Sequence, residues 1–346
     1  MKICVVGSSV NPVPTAVPWS GIELMVTCLV KGLVELGHDV TLVSVEGSLW
    51  KEWDAIDLIE VKVTGPDIER SFFDGYRDRI KDYDCVIDNS NGKMARMANP
   101  RTINVSHWLQ DPGAMGFRNV VCISEVHRRW TLEQYRLRGV QGAVMVVYNG
   151  IDPSMYPFRE EKGDEFLFLS VMGEYKGADT VLELAKRHPE YRFGFAGRAT
   201  SFSEVVRREA EGRRNISYYG EVPHNIKKEL MGRARALLQL PKGYDPSVRF
   251  PFMDILPMTV IEANLCGTPV VGLARDGVPE MIRQNVNGVL CGDIECVEMA
   301  IEGLSDGTIT IPPRSCRAYA EERFSHTRMA SDYARLCSRV ISGRSW

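Results

Sequence analysis

The stretch from Asp254 to Gly272 reads DILPMTVIEANLCGTPVVG. It opens on an acid, Asp254, and carries a second, Glu262, eight positions on. Between the two a loop turns into a helix start. A short apolar helix follows Glu262, Gly267-Thr268-Pro269 ends it, and Val270-Val271-Gly272 reads as a buried strand. A carboxylate ahead of a helix and another on its first turns can face the same space as the helix's unsatisfied amides. Helix, glycine and strand in that order are the repeating unit of a doubly wound parallel sheet, an α/β fold.

The same unit recurs on both sides of this stretch. Upstream, Phe166 to Val171, Arg192 to Ala196, Asn215 to Tyr218 and Ala236 to Leu240 are apolar runs of strand length. Gly177 to Arg187 and His224 to Arg233 have helical spacing between them. Downstream come a strand at Gly288-Val289-Leu290 and helices at Glu295–Leu304, Arg314–Arg323 and His326–Ile341. The first half of the chain repeats the plan. Ile3-Cys4-Val5-Val6 is a strand, Ile22–Leu36 a helix closed by Gly37, and Val40–Val43 a second strand. Further strands are expected at Cys85–Asp88, Thr102–Val105, Asn119–Ile123 and Ala143–Val147. Pro153 to Gly163, with two prolines and mixed charge, reads as a linker. In such sheets ligand residues gather at the carboxyl ends of strands, where His107, Ser124, Glu125 and Asn149 fall. Ser124 and Glu125 are read as a helix cap.

Several classes are set aside. The loop after Val6, GSSVNP, lacks the G-x-G-x-x-G spacing of a dinucleotide fingerprint. A net charge of -3 gives no electrostatic footprint for nucleic acid. The nine cysteines form no C-x-x-C pair, and the odd count fits reduced, buried thiols rather than a disulfide framework or a zinc site. The apolar run of MKICVVGSS is shorter than a signal-peptide core, and no run approaches the ~20 residues of a membrane span. The expectation from these features is a cytoplasmic chain. The helix expected at 125–138 carries Arg128, Arg129, Arg136 and Arg138 with Trp130 and Tyr135. A solvated face is the simpler reading, and peripheral docking on anionic lipid is the alternative.

The order of short motifs resembles the family 4 glycosyltransferases. They are SGIELM after the proline loop, SHW at 106–108, CISE at 122–125, YNGIDPSMYPF at 148–158, EYKGAD at 174–179, FAGR at 195–198 and YYGEV at 218–222. The stretch PMTVIEANLCGTPVVG, GVPEMI at 277–282, NVNGVL at 285–290 and EERFSHTRMASDYARL at 321–336 complete the series. The resemblance covers nearly the whole chain. It implies the GT-B fold, two Rossmann-like domains facing across a cleft: an N-terminal acceptor domain at 1–155, a C-terminal donor domain at 156–323, and a final helix at 324–346 returning to the first. It implies transfer of a hexose from a nucleoside-diphosphate sugar, UDP- or GDP-linked, to an acceptor hydroxyl with retention of anomeric configuration. The acceptor would be a carbohydrate, a lipid-linked or a small molecule. No cofactor, metal or nucleic acid is implied.

Residue by residue, the resemblance gives Asp254 a place against the transferred sugar and Glu262 the ribose hydroxyls. Met258 and Thr259 supply backbone amides to sugar and phosphates. Lys176 neutralises the diphosphate leaving group, and Gly21 lets the backbone approach it. His107 lies close to the reacting sugar, and Glu221 and Val222 sit in the turn that meets the base. The chemistry is coherent, because a departing diphosphate gathers charge that a lysine and a helix start stabilise. Three positions depart from the family pattern. Asp254 stands for a glutamate, Pro257 stands for a glycine and removes an amide donor, and Val171 stands for an arginine. Arg198 and Arg249 are the candidates for the missing charge. The alternative to an enzyme is a GT-B scaffold that binds a sugar nucleotide or partner without turnover.

Overall fold

The computed structural model describes residues 1–14, 20–50, 55–247 and 252–343. It divides into two compact units, Met1–Asp152 with Phe324–Trp346, and Pro153–Arg323.

The first unit runs β1 (Lys2–Val6), α1 (Gly21–Glu35), β2 (Asp39–Val45), β3 (Asp57–Val61), α2 (Ile68–Tyr76), β4 (Cys85–Asp88), β5 (Thr102–Asn104), β6 (Val120–Cys122), α3 (Glu125–Arg138) and β7 (Val144–Val146). The sheet order is β3-β2-β1-β4-β5, with every pair parallel. β6 and β7 pair separately, and a bridge from Val105 to Val121 links them to the end of β5. Ile3 to Val6 are fully buried, as a central parallel strand covered on both faces requires. The strand order reverses between β1 and β4, so their carboxyl ends open a crevice.

The second unit runs β8 (Glu165–Leu169), α4 (Ala178–Arg187), β9 (Arg192–Ala196), α5 (Ser203–Gly212), β10 (Ile216–Gly220), α6 (His224–Arg233), β11 (Ala236–Gln239), α7 (Met258–Leu265), β12 (Val270–Leu273), α8 (Val278–Met281), β13 (Gly288–Cys291), α9 (Ile294–Asp306) and α10 (Pro313–Phe324). Its order is β10-β9-β8-β11-β12-β13, again all parallel. Phe166, Phe168, Phe193 and Phe195 alternate along β8 and β9 and anchor the core with Leu238 and Val271. Here the reversal falls between β8 and β11. The loops leaving those two strands carry Lys176 and Asp254.

The last helix, α11 (His326–Ile341), packs on α1 in the first unit. A Cβ on Gly32 would lie 2.7 Å from that of Ala330, so glycine permits the close crossing. Ile151 and Phe324–His326 exchange backbone hydrogen bonds, Ile151 N to Phe324 O at 2.8 Å and His326 N to Ile151 O at 3.1 Å.

The reading of Pro153–Gly163 as a linker is corrected. Tyr156 is buried, Arg159 N donates to Cys266 O at 3.1 Å, and the Arg317 guanidinium reaches the carbonyls of Pro153, Tyr156 and Leu265. The Tyr156 ring, the Pro153 and Tyr156 carbonyls and the Arg159 amide fasten the segment to the second unit. Four elements lacked a sequence assignment: β3, α2, α5 and α8.

Candidate functional site

Lys176 stands at the turn from β8 into α4. Glu174–Lys176 form one turn of 3-10 helix, and Gly177 closes it at φ 88°. A Cβ there would lie 1.9 Å from Leu240 O, so only glycine lets this turn press against the end of β11. The lysine Nζ is 3.0 Å from Asp254 Oδ2 and 4.4 Å from the centre of the Phe252 ring. Tyr175 packs on Phe252 with ring centres 4.6 Å apart.

Asp254 is held through four groups. Its Oδ2 accepts from Gln239 Nε2 at 2.8 Å and meets Lys176. Its backbone N donates to Asp276 Oδ2 at 3.0 Å, and its carbonyl accepts from Gly277 N at 3.0 Å. All side-chain contacts fall on Oδ2, and Oδ1 has no protein donor among the described residues. Gln239 is the last residue of β11, and Thr259 Oγ1 donates to its Oε1 at 3.3 Å. That bond fixes the amide so that its NH2 points at Asp254. Met258 and Thr259 form the first turn of α7. Pro257 is the N-cap, with no side-chain cap, and Val260 N is taken by Pro257 O at 3.0 Å.

Glu262, on the same helix, lies in a different cluster. It is 2% exposed. Its Oε1 accepts from Tyr156 Oη at 2.8 Å and from Lys227 Nζ at 2.8 Å, and its Oε2 is 2.7 Å from the same ammonium. Lys227 comes from α6 and is itself buried. The two acids of the opening stretch therefore have different partners. Asp254 belongs with Lys176, Gln239, Thr259 and Asp276, while Glu262 belongs with Lys227 and Tyr156.

At the far side of this sheet, Glu221 accepts from Ala199 N at 2.8 Å and ties the loops after β9 and β10, with Val222 buried behind it. Arg198 is exposed after β9, and its carbonyl accepts Met172 N at 2.9 Å. Its charge lies near the Tyr175 hydroxyl. Arg249 lies outside the described residues.

In the first unit, His107 follows β5 and is buried. Its Nε2 is 3.0 Å from Asn89 Oδ1. Asn89 Nδ2 donates to Val6 O at 3.3 Å, which leaves Oδ1 as the acceptor and assigns the proton to Nε2 of His107. Burial, then the charges of Lys93 and His127, hold the imidazole pKa well below the usual value, so it is neutral at pH 7. Lys93 is itself buried, at φ 51°, and burial pushes its pKa down to about 8. Gly21 is the first residue of α1 and is exposed; residues 15–19 of the preceding loop lie outside the described residues. Ser124 caps α3 by accepting from His127 N.

Sequence reasoning missed Gln239, Asp276, Lys227 and Tyr156. Gln239 had a signal, a polar residue closing an apolar strand at its carboxyl end. Asp276-Gly277 had only a turn signal, and Lys227 none.

Residues 157–308 match the family model of glycosyl transferases, group 1. The matched segment takes in Lys176, Asp254 and Glu262, and is a little under half of the chain. One component of the phosphatidylinositol N-acetylglucosaminyltransferase of Homo sapiens is 24% identical over 208 residues, covering 56% of this chain and 40% of that protein. The amylovoran biosynthesis glycosyltransferase AmsK of Erwinia amylovora is 30% identical over 92 residues, 25% of this chain and 23% of its own. The chain thus spans less than half the length of the curated relatives it matches. Among solved structures, AviGT4, a glycosyltransferase involved in avilamycin A biosynthesis, superposes with a TM-score of 0.76 at 22% identity, covering 100% of this chain and 99% of its own. Sucrose-phosphate synthase from Thermosynechococcus elongatus gives 0.75 at 15% identity, with 99% of each chain covered. HepE from Anabaena, solved in complex with UDP, gives 0.67 at 18%, covering 98% and 100%. The fold is GT-B, built of two Rossmann-like units.

Proposed function

We propose that this chain is a glycosyltransferase that moves a hexose from a nucleoside-diphosphate sugar to an acceptor hydroxyl with retention of configuration. The observation that carries the proposal is the Lys176–Asp254 pair, 3.0 Å apart at the strand-order reversal of the second unit, beside the start of α7. In this reading Lys176 and the first-turn amides of Met258 and Thr259 take the charge that develops on the leaving diphosphate. Asp254 Oδ1 accepts from a hydroxyl of the transferred sugar. Glu262 takes a ribose hydroxyl, Gly21 admits the diphosphate, and Glu221 and Val222 line the base. The anomeric carbon–phosphate oxygen bond breaks as the acceptor oxygen bonds on the same face, and the acceptor proton passes to the leaving phosphate oxygen. His107, neutral with Nε2 donating to Asn89, offers Nδ1 to a sugar hydroxyl. The reading assigns no metal. HepE has been solved with UDP, with UDP and glucose, and with UDP-glucose, which supports a UDP-linked donor here.

Thermal-shift screening against UDP, GDP and ADP sugars tests the donor, because a ligand at 100 times its dissociation constant stabilises by about 2.7 kcal/mol. Lys176→Ala is expected to lose both donor binding and transfer. Near-normal turnover in that variant would remove the assignment. A second reading, a scaffold that binds without turnover, is favoured by the protein groups on Glu262 and by the missing amide at Pro257. Tight donor binding with neither hydrolysis nor transfer would select it.

Among the described residues no helix is long and apolar enough to cross a membrane. A lipid-linked acceptor is favoured by α3, where Leu132 and Leu137 are exposed beside Arg129 and Arg136, the last of them paired with Glu133.

A further inference from the structure

We propose that Asp276 is a positioning residue that aims Asp254 at the donor sugar. The inference rests on the reading of the second unit as a donor site. Asp276 sits between β12 and α8 with φ 52°, in the left-handed region. That conformation is uncommon outside glycine, and aspartate and asparagine adopt it more readily than other residues because their short polar side chains hydrogen-bond locally. The side chain explains why an aspartate is there. Its Oδ1 accepts from Tyr244 N at 2.9 Å and its Oδ2 from Asp254 N at 3.0 Å. One carboxylate thus pins both ends of the long loop between β11 and α7.

Its neighbour completes the grip. Gly277 N donates back to Asp254 O at 3.0 Å, so both backbone groups of Asp254 are taken by consecutive residues. Gly277 has an ordinary φ of -85°, so backbone freedom is not what requires glycine. A Cβ would lie 2.3 Å from Ile255 O and 2.9 Å from Asp254 O. The Asp254 loop lies directly on this turn. Gln239 and Lys176 then fix Oδ2 from the other side. With N, O and Oδ2 all fixed, the position of Oδ1 is fixed with them. Asp276 touches neither the sugar nor the phosphate in this arrangement, and it acts through Asp254.

A turn residue and a positioning residue respond differently to substitution. Asparagine and glycine adopt φ near 52° more readily than aspartate. If Asp276 serves only the turn, Asp276→Asn and Asp276→Gly should bind ligands as the wild type does. If it aims Asp254, asparagine keeps one acceptor oxygen and glycine keeps none. Affinities for UDP and for UDP-glucose, measured side by side on the full chain, read the difference. The expected result is UDP affinity close to wild type in both variants. UDP-glucose affinity should fall, most in Asp276→Gly, by about tenfold, the loss typical of a misplaced hydrogen bond to a charged group. A wild-type ratio of the two affinities in Asp276→Gly overturns the proposal, and so does an equal loss of both ligands. Hydrogen exchange at the Asp254 and Tyr244 amides supplies a readout that needs no ligand. Exchange at both must accelerate in Asp276→Gly, and unchanged protection overturns the proposal whatever the protein binds. Wild-type protein that binds no nucleotide would sink the donor-site reading alone.

Discussion

The buried pair Lys227–Glu262 makes a quantitative prediction. The two side chains are 6% and 2% exposed, from α6 and α7, and the ammonium lies within 2.8 Å of both carboxylate oxygens. Lys227→Met keeps the apolar stem and removes only the charge. Glu262 is then left with Tyr156 Oη as its one neutral donor among these groups. Removing one member of a buried pair typically costs about 3–5 kcal/mol, because the remaining charge has no compensation. For a unit of this size that is about 6–20 °C in Tm, at roughly 2–4 °C per kcal/mol. Lys227→Met with Glu262→Gln removes both charges, and the double variant is expected to recover most of the loss. Pro153–Arg323 contains no tryptophan, and the described tryptophans Trp50, Trp108 and Trp130 lie in the first unit, so tryptophan emission carries no direct signal from the second unit, while far-ultraviolet circular dichroism follows both. Denaturation in urea should therefore show the shift in circular dichroism more than in tryptophan emission. A loss below about 1 kcal/mol in Lys227→Met, or a double variant no better than the sum of the singles, would refute the reasoning.

Two further predictions concern the first unit. His127 is fully buried and pushed down to about 4 by burial, and His107 is held well below its usual range by burial and nearby charge. Both bind a proton more readily unfolded than folded. Their contribution to stability is complete above the unfolded value near pH ~6.5 and is lost as pH falls below it, for His127 down to about 4, with a combined slope of up to about 2.7 kcal/mol per pH unit. Urea midpoints at pH 7, 6 and 5 check this, and His127→Gln should flatten the fall; an identical slope in that variant would show that His127 is not responsible. The second prediction is that the protein floats with vesicles containing anionic lipid and not with neutral ones, and that Arg129→Glu with Arg136→Glu weakens flotation, each basic residue contributing about 1 kcal/mol. No flotation on anionic vesicles removes the membrane-facing role of α3.

The central strands were legible because both their faces are buried. ICVV in β1, FLFL in β8 and RFGFA in β9 are nearly continuous apolar runs that admit few other readings. β3 was not, because DLIEV lies at the sheet edge and mixes charge into a short alternation. α5, SEVVRREAEG, buries only Ser203 and Val206 and is otherwise dominated by charge. Lys176 and Asp254 come together although 78 positions separate them, because both follow strands that flank the reversal point, and strand order converts sequence distance into contact. Lys227 had no comparable signal. A lysine on an amphipathic helix is ordinarily solvated, and only the approach of α7 and Tyr156 turns it into a buried partner. The same approach moved Glu262 out of the company of Asp254.

The Lys176–Asp254 pair bears on how a donor would enter. An ammonium has three N–H donors. Asp254 Oδ2 takes one direction and the face of Phe252 another, which leaves a third for phosphate oxygen. A diphosphate can therefore reach Lys176 without first breaking the resting pair. The order of events is consistent with the chemistry, because Asp254 stays fixed through Gln239, Asp276 and Gly277 while the lysine gains a second anion. A glutamate at 254 would carry its carboxylate about one bond length, ~1.5 Å, further. It would overrun both the Gln239 amide and the lysine at their present distances. The shorter acid is thus matched to the present positions of Gln239 and Lys176.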